Sequence, residues 1–426
     1  MPRYWRLADG ECAGWRGSAA AGEVGQCLFF AAVLYGAVLA ERAGWLGAAT
    51  GAGRELPRYR RVADGECADR VWRWRMTRAG AGQRLLHDVK NRGISAWLLA
   101  GLLTAFYLLL YFTEWLTPAA RAMGLDSKWT LYGLLYTVAV SAGGVHVIRK
   151  YRHNRYQVVR TSVVIFVQAT FAFSIPHLLT FLHQPEYYFS YFWPLKMDYL
   201  TPSYIFSLPL PYILFSFTGS LLLVPILGVF FGKRWYCSWV CGCGGLANTF
   251  GEPWRHLSSK SKTSWKIERA TIHAVLAVSL LLTALLFVSW GVGKSHPQLA
   301  RVTAEFQAFY GLIVGSILSG VVGVGAYPLG GTRVWCRFAC PMAAILGLVQ
   351  KVGRYRITVK ENMCISCGMC SKYCEMGIDV RAYAQANESF TRASCVGCGL
   401  CAEVCPRGVL RLENRALVQI SGHATR

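Results

Sequence analysis

Eight cysteines near the C-terminus fall into two runs of identical spacing, Cys364-x2-Cys367-x2-Cys370-x3-Cys374 and Cys395-x2-Cys398-x2-Cys401-x3-Cys405. This is the spacing of thiolates that wrap two [4Fe–4S] clusters: three close cysteines hold one cubane and the fourth ligates the other. It assigns Cys364, Cys367, Cys370 and Cys405 to one cluster and Cys395, Cys398, Cys401 and Cys374 to the second. The chemistry such ligands support is one-electron transfer. Gly368, Gly397 and Gly399 leave room for backbone to curl around an inorganic core. Pro406 follows the second run, whereas Glu375 stands at the matching place in the first, a departure that removes no ligand. Structural zinc sites and disulfides are the alternatives. Zinc typically takes its four ligands in two pairs, which predicts neither run.

A second set of cysteines lies upstream. Cys237-x3-Cys241, with Cys243 two residues on, is echoed by Cys336-x3-Cys340-Pro341, and an Arg and aromatic residues precede both pairs (Arg234-Trp235-Tyr236-Cys237 and Arg333-Val334-Trp335-Cys336). On a helix, x3 spacing puts both sulfurs on one face. Four thiolates, Cys237, Cys241, Cys336 and Cys340, suffice for a further metal centre, with Cys243 as an extra candidate ligand. Basic neighbours suit thiolates. Buried free thiols that merely pack are the alternative. The duplication implies two halves of three helices, each ending in a cysteine pair.

Positioning these residues falls to a hydrophobic scaffold. The chain is 54% hydrophobic and only 16% charged, with a mean hydropathy of +0.32. Crossing about 30 Å of hydrocarbon takes roughly 20 apolar residues. Six stretches qualify: 94–117, 129–148, 158–182, 204–231, 270–292 and 306–329. Val24–Ala40 is shorter, a candidate seventh span or a surface segment. Pro209, Pro211 and Pro225 predict a kink in the fourth.

A net charge of +23 would suit a nucleic-acid binder, but its distribution does not. The connections 149–160, 232–269 and 330–360 carry five, seven and six basic residues against none, two and no acidic ones. The alternate connections 118–128, 183–203 and 294–305 together hold five basic and four acidic residues. Charge that alternates with apolar spans is the positive-inside pattern, and it predicts basic loops and cysteine-rich tail in the cytoplasm. No nucleic-acid partner is expected. A cytoplasmic location also disfavours stable disulfides.

Residues 1–93 form a basic N-terminal region in which 2–13 recurs as 57–68. Two copies do not make a solenoid. Cys12, Cys27 and Cys67 are left out of the site, and Arg70–Arg92, with Trp72 and Trp74, reads as an interfacial basic segment. Four histidines raise further possibilities. His146 and His273 could ligate a haem axially, and His177 and His183 could line a quinone pocket. A hydrogen-bonded or interfacial histidine is the preferred reading of each, which disfavours haem. The aromatic loop 184–203 reads as an interface belt.

The combination resembles the polyferredoxin-type membrane iron–sulfur proteins, namely the quinol-linked membrane subunits of periplasmic nitrate reductase and nitrous oxide reductase systems. The resemblance covers about 94–426 and is carried by Cys237/Cys241, Cys336/Cys340-Pro341 and the two C-terminal runs. It implies electrons passed between the quinone pool and a partner redox protein. Two departures stand out. Gly242 replaces the proline of the first pair, and no flavin-bearing N-terminal domain is recognisable.

Three domains are expected: 1–93, a membrane domain over 94–350, and a two-cluster ferredoxin-like domain over 351–426. The fold class expected is an α-helical integral membrane protein with an α+β tail. Its expected role is an electron-transfer subunit rather than a stand-alone enzyme, multi-pass in the bacterial inner membrane. The competing role is an assembly factor that reduces or hands over copper, since soft thiolates suit Cu(I). A scaffold whose clusters only stabilise the tail is a third.

Overall fold

Long apolar stretches bounded by polar caps form the scaffold. The structure is a computed structural model and describes residues 81–125, 127–293 and 295–414. The duplicated segment, Cys12, Cys27, Cys67, Trp72, Trp74 and Val24–Ala40 lie outside the described residues.

Six described helices are long and apolar enough to cross a membrane: α1 (Ile94–Phe112), α2 (Lys128–Lys150), α3 (Arg155–Phe181), α4 (Leu210–Phe231), α5 (Lys262–Val292) and α6 (Pro297–Val321). Side chains at three N-termini satisfy backbone N–H groups that have no helical partner. Ser127 accepts from Thr130 N, Asn154 from Gln157 N and Ser261 from Ser264 N. The last cap extends α5 eight residues beyond its apolar stretch, and α6 likewise starts early, at Pro297. In α4 the prolines act differently from a simple kink. Pro209 and Pro211 separate it from a short turn at Pro202–Ile205, and a π-helical turn, Gly219–Leu223, precedes Pro225. A second π turn, Gln168–Ser174, precedes Pro176. Proline lacks an N–H, and a widened turn absorbs the missing bond.

Among the described residues four spans precede the first cysteine pair and two lie between it and the second, so the duplication is not one of three-helix halves. The repeated unit is one span followed by one cysteine loop. Upstream, the helix Ala81–Lys90 is tied to the bundle at its C-terminal end. Asp88 accepts from Ser95 N at 2.7 Å, and Arg92 donates to Leu329 O and Leu257 O at 2.7 and 2.8 Å.

The segment between α3 and α4 is not an interface belt. Tyr187, Phe189, Phe192 and Tyr199 are all buried. Tyr187 stacks on Tyr199 at 4.4 Å, Phe189 meets Phe215 at 5.2 Å and Phe192 meets Tyr236 at 5.8 Å. Its polar atoms find partners inside: Tyr187 Oη shares a hydrogen bond with Ser216 Oγ, and Tyr236 Oη donates to Ser190 O. Buried irregular backbone is tolerable only when its polar groups find partners within the protein. The aromatic payload goes to the core because eight or more rings bury more area against each other than a surface belt allows.

Helix α7 (Pro341–Val352) leads into the C-terminal module, whose only described sheet pairs β1 (Tyr355–Val359) antiparallel with β2 (Leu410–Asn414), Tyr355 opposite Asn414. Short helices at Met369–Lys372, Val380–Gln385 and Leu400–Glu403 complete it. The module is seated on the ends of α3 and α4 and on the loop after α4. Arg354 N donates to Val229 O at 2.8 Å, Tyr156 Oη to Gly397 O at 2.7 Å and Ser238 Oγ to Val396 O at 2.6 Å.

Candidate iron–sulfur and membrane-surface thiol sites

Each C-terminal run is built the same way. Ser366 and Gly397 take φ near +60°, and Gly368 and Gly399 reach +74° and +78° directly before the short helices Met369–Lys372 and Leu400–Glu403. These left-handed turns fold the backbone back so that the first three cysteines of a run face one space. The fourth sulfur of each run sits beyond its helix, where Ile378 N donates to Cys374 Sγ and Val409 N to Cys405 Sγ, both at 3.4 Å.

The result is two cavities, each lined by cysteines from both runs. Cys364, Cys367, Cys370 and Cys405 line one, together with Arg381 and Arg407. Cys374, Cys395, Cys398 and Cys401 line another, walled by Tyr355, Glu375 and Met376. They differ in setting. Cys367 is exposed, so the first cavity is the outer one. The second lies against the membrane domain, and three of its wall carbonyls at 396–398 accept bonds from Ser238, Tyr156 and Gln157. Burial pushes the Cys374 thiol up to about 12 and Cys398 to about 11, and raises Cys395 and Cys401. Neutral thiols are therefore what this pocket favours by itself; a bound metal is what would hold them as thiolates.

The donor set fits an iron–sulfur cluster. Four thiols surround a space, and backbone N–H groups point at sulfur, including Gly397 N to Cys395 Sγ at 3.4 Å. Among the described residues no three His, Cys, Asp or Glu side chains are arranged to hold a single ion. In a cubane each cysteine binds its own iron, so convergence on one point is not required.

The two upstream cysteine pairs also share one geometry. Cys237 ends the short helix Arg234–Cys237 and Cys336 lies in Val334–Phe338. Their partners, Cys241 and Cys340, are the N-cap residues of the next helices, Gly242–Asn248 and α7. Cys241 N donates to Tyr236 O and Cys340 N to Trp335 O, the equivalent carbonyl, at 2.8 and 3.1 Å. Pro341 thus occupies the first helical position, where its fixed φ and missing N–H are harmless. Gly242 holds the same place. A Cβ there would lie 2.7 Å from Tyr191 Oη and 3.0 Å from Tyr136 Oη, which explains the glycine. Tyr136 Oη donates to Gly242 O at 2.8 Å.

Cys237, Cys241, Cys336 and Cys340 are all buried in the same large core, with Cys243 packed against it, close enough to act electrostatically on one another but not converged on a single point. The hydrogen bond from the Cys243 thiol, with N–H groups of Gly244 and Cys243, lowers Cys241 to about 7. Burial pushes Cys237 up to about 12 and raises Cys336 and Cys340. Arg333 touches this set directly, donating to Cys237 O at 3.2 Å and lying 3.7 Å from Cys336 Sγ.

The histidines are not assembled into a site. His146 and His273 are exposed, and His273 Nδ1 is bonded to its own helix at Arg269 O, 2.6 Å. Buried, inward-facing rings are what axial haem ligation needs, and neither is buried. His177 Nδ1 bonds to Phe173 O at 2.7 Å and His183 is exposed at a helix end. The sequence reading passed over the buried charges around the inner cavity: Arg160, Arg255, Arg333 and Glu375. An ionisable residue inside an apolar span, as Arg160 is, was the signal available for one of them.

Comparison with known proteins agrees with this geometry. A 4Fe-4S dicluster domain model matches residues 357–412. A 4Fe-4S binding domain model matches 214–262 and again 312–360, the two segments that hold a span and its cysteine pair. Among curated proteins, the putative electron transport protein YccM of Escherichia coli is 26% identical over 153 residues, covering 35% of this chain and 43% of that protein. The methylamine utilization ferredoxin-type protein MauN of Methylobacillus flagellatus is 28% identical over 147 residues, 34% of this chain and 49% of that one. The regulatory protein NosR of Pseudomonas aeruginosa is 25% identical over 223 residues, 50% and 28% of the two chains. The chain spans about half the length of the first curated relatives it matches. No solved structure matches it. By its cysteine runs and these matches the chain is similar to ferredoxin-type iron–sulfur proteins of electron transport, with six candidate membrane-spanning helices.

Proposed function

We propose that this chain is a membrane-bound electron carrier that relays electrons between the quinone pool and a partner redox protein. The single observation that carries the reading is the pair of four-cysteine cavities, the inner one tied through Val396 O to Ser238 in the loop that holds Cys237 and Cys241. Cys364, Cys367, Cys370 and Cys405 would hold one [4Fe–4S] cluster, and Cys374, Cys395, Cys398 and Cys401 the other. Bound there, the clusters supply reversible one-electron chemistry.

The protein's own residues then do three things. Exposed Cys367 and its neighbours present the outer cavity to a soluble partner. The bonds from Tyr156, Gln157 and Ser238 hold the inner cavity's loop against the membrane domain and keep water from it. Cys237, Cys241, Cys336, Cys340 and Cys243 offer a further metal or redox station between the inner cavity and the spans. The basic loops support a position for all of this on the cytoplasmic face of an inner membrane. The spans anchor the relay, and the partner reductase supplies the substrate chemistry.

Iron and sulfide analysis with EPR of the dithionite-reduced protein tests the reading; protein without either disproves it. Cys237→Ala and Cys340→Ala should leave the dicluster EPR signals intact while abolishing reoxidation by a quinone analogue. If these variants instead lose only the ability to load copper into a partner, the assembly role is the right one.

A further inference from the structure

Three arginines and one glutamate are buried together behind the inner cavity. Arg160, Arg255, Arg333 and Glu375 are each no more than 1% exposed. Arg333 Nη2 donates to Glu375 Oε1 at 2.9 Å, and Arg255 Nη1 stands 3.5 Å from Glu375 Oε2. Arg160 Nη1 donates to Cys398 O at 2.9 Å, on the backbone of an inner-cavity cysteine. Glu375 itself lines that cavity and directly follows Cys374.

The charges do not balance. Three guanidinium groups face Glu375; the next buried carboxylate, Glu252, also bears on Arg255 but is already paired with Lys150 at 2.7 Å. Several of the arginines' N–H donors have no hydrogen-bond partner in the protein: Arg160 Nε and Nη2, Arg255 Nε, and Arg333 Nε. Arginine stays protonated in proteins, so the excess cannot be removed by losing a proton. An uncompensated buried charge is strongly destabilising. A neighbouring anion relieves it, and four thiolates around iron supply one. Elsewhere in the same interface the books are even: Arg337 and Glu268, both buried, pair one to one at 2.7 Å. Nothing comparable surrounds the outer cavity, where Arg381 and Arg407 stand at a solvent-exposed rim and water screens them.

Resting on the cluster-binding reading above, we propose that Arg160, Arg255 and Arg333, in direct contact with no carboxylate but Glu375, hold the reduction potential of the inner centre above that of the outer one. Adding one electron adds one negative charge and breaks no bond, so fixed positive charge in a low-dielectric pocket favours the reduced form. An electron from a soluble donor then settles on the side facing the membrane-surface thiols. These are positioning and tuning residues; they touch the cavity wall and do no chemistry.

EPR-monitored redox titration of the intact, cluster-loaded protein tests this, with Cys367→Ser marking the outer centre's signal. In wild type the inner centre should have the higher potential. Arg160→Gln and Arg255→Gln should each lower it by about tenfold in the reduction equilibrium, or ~59 mV for one electron. Glu375→Gln should raise it, Arg160→Lys should leave it near wild type, and the outer centre should not move. Opposite signs for the arginine and glutamate variants are what mere loosening of the interface would not produce. Shifts of one sign for all variants, no shift, or an inner centre lower than the outer one in wild type overturns the proposal. Should the variants fail to load iron, the wild-type ordering alone decides. If wild type carries no clusters, the cluster-binding reading has failed, not this inference alone.

Discussion

Arg333 and Glu375 meet at 2.9 Å across the boundary between the second cysteine loop and the C-terminal module, and neither side chain is more than 1% exposed. The same arginine reaches Cys237 O and approaches Cys336 Sγ. One side chain therefore fastens both cysteine systems. Breaking a buried pair by removing one partner costs about 3–5 kcal/mol, because the other charge is left desolvated. Glu375→Ala is expected to lower stability by that amount and to expose the module's linker to limited proteolysis. Arg333→Met combined with Glu375→Leu should cost less than the two single changes added together. A double-mutant cycle measured by thermal unfolding checks this.

The two centres should also differ in their response to oxidants. Cys367 is exposed, whereas Cys395 and Cys401 are buried under the contact with the membrane domain. Oxidation of thiolates and loss of iron follow access. Brief exposure to air or to a ferricyanide-type oxidant should remove the outer centre's signal first. Iron analysis alongside EPR should pass through a plateau near half the starting content. Simultaneous loss of both signals would contradict the inner and outer assignment.

What could be read from sequence was whatever depends on spacing or composition. Cys364 to Cys405 sit at intervals that only a few ligand geometries tolerate, and six stretches were apolar over a bilayer's width, so runs and spans were legible. Span ends were less so. Ser261 and Pro297 start α5 and α6 well ahead of the apolar residues, because a cap can add polar turns to a helix that hydropathy does not see. Long-range pairing was not legible at all. Glu375 reads as a harmless departure from Pro406 until Arg333 and Arg255, 42 and 120 residues away, are found against it. Tyr187 to Tyr199 read as a belt because aromatic composition is the same in a belt and in a core. Only the partners, Ser216 and Tyr236, tell them apart.

The membrane-surface thiols predict a pH dependence for metal binding. Burial holds Cys237 up near 12 and raises Cys336 and Cys340, so all three are neutral thiols at pH 7, while Cys241, at about 7, is half ionised. A metal binds thiolates, so each raised thiol must give up its proton on binding. Apparent affinity should therefore rise with pH between about 6 and 8, with more than one proton released per ion. Cadmium titration of the iron-free protein, monitored for proton release, measures it. The difference between wild type and the Cys237→Ala/Cys340→Ala variant isolates this set from the C-terminal cysteines. A pH-independent difference would show that these thiols are not the ligands.

Gly397 provides the most local test of the inner cavity. Its φ of +60° lies in the left-handed region, and a Cβ would fall 2.6 Å from Arg234 Cβ and 3.1 Å from Tyr355 Oη. Arg234 cannot easily withdraw, since its guanidinium lies over the Tyr355 ring at 4.9 Å and donates to Asn414 Oδ1 at 3.0 Å. Alanine here adds backbone strain of roughly 1–3 kcal/mol to the steric clash. The loop that carries Cys395 and Cys398 must then lift from the membrane domain. Gly397→Ala is expected to lose the inner centre's signal and about half the iron, while the outer cysteines, three of which lie in the other run, keep theirs. Gly408 makes the matched control. It also has positive φ, +58°, but a Cβ there meets nothing within 4 Å. Gly408→Ala should therefore pay strain without the clash and retain both centres. Equal iron loss in the two variants would mean that backbone strain, rather than contact with Arg234, is what the inner cavity cannot tolerate.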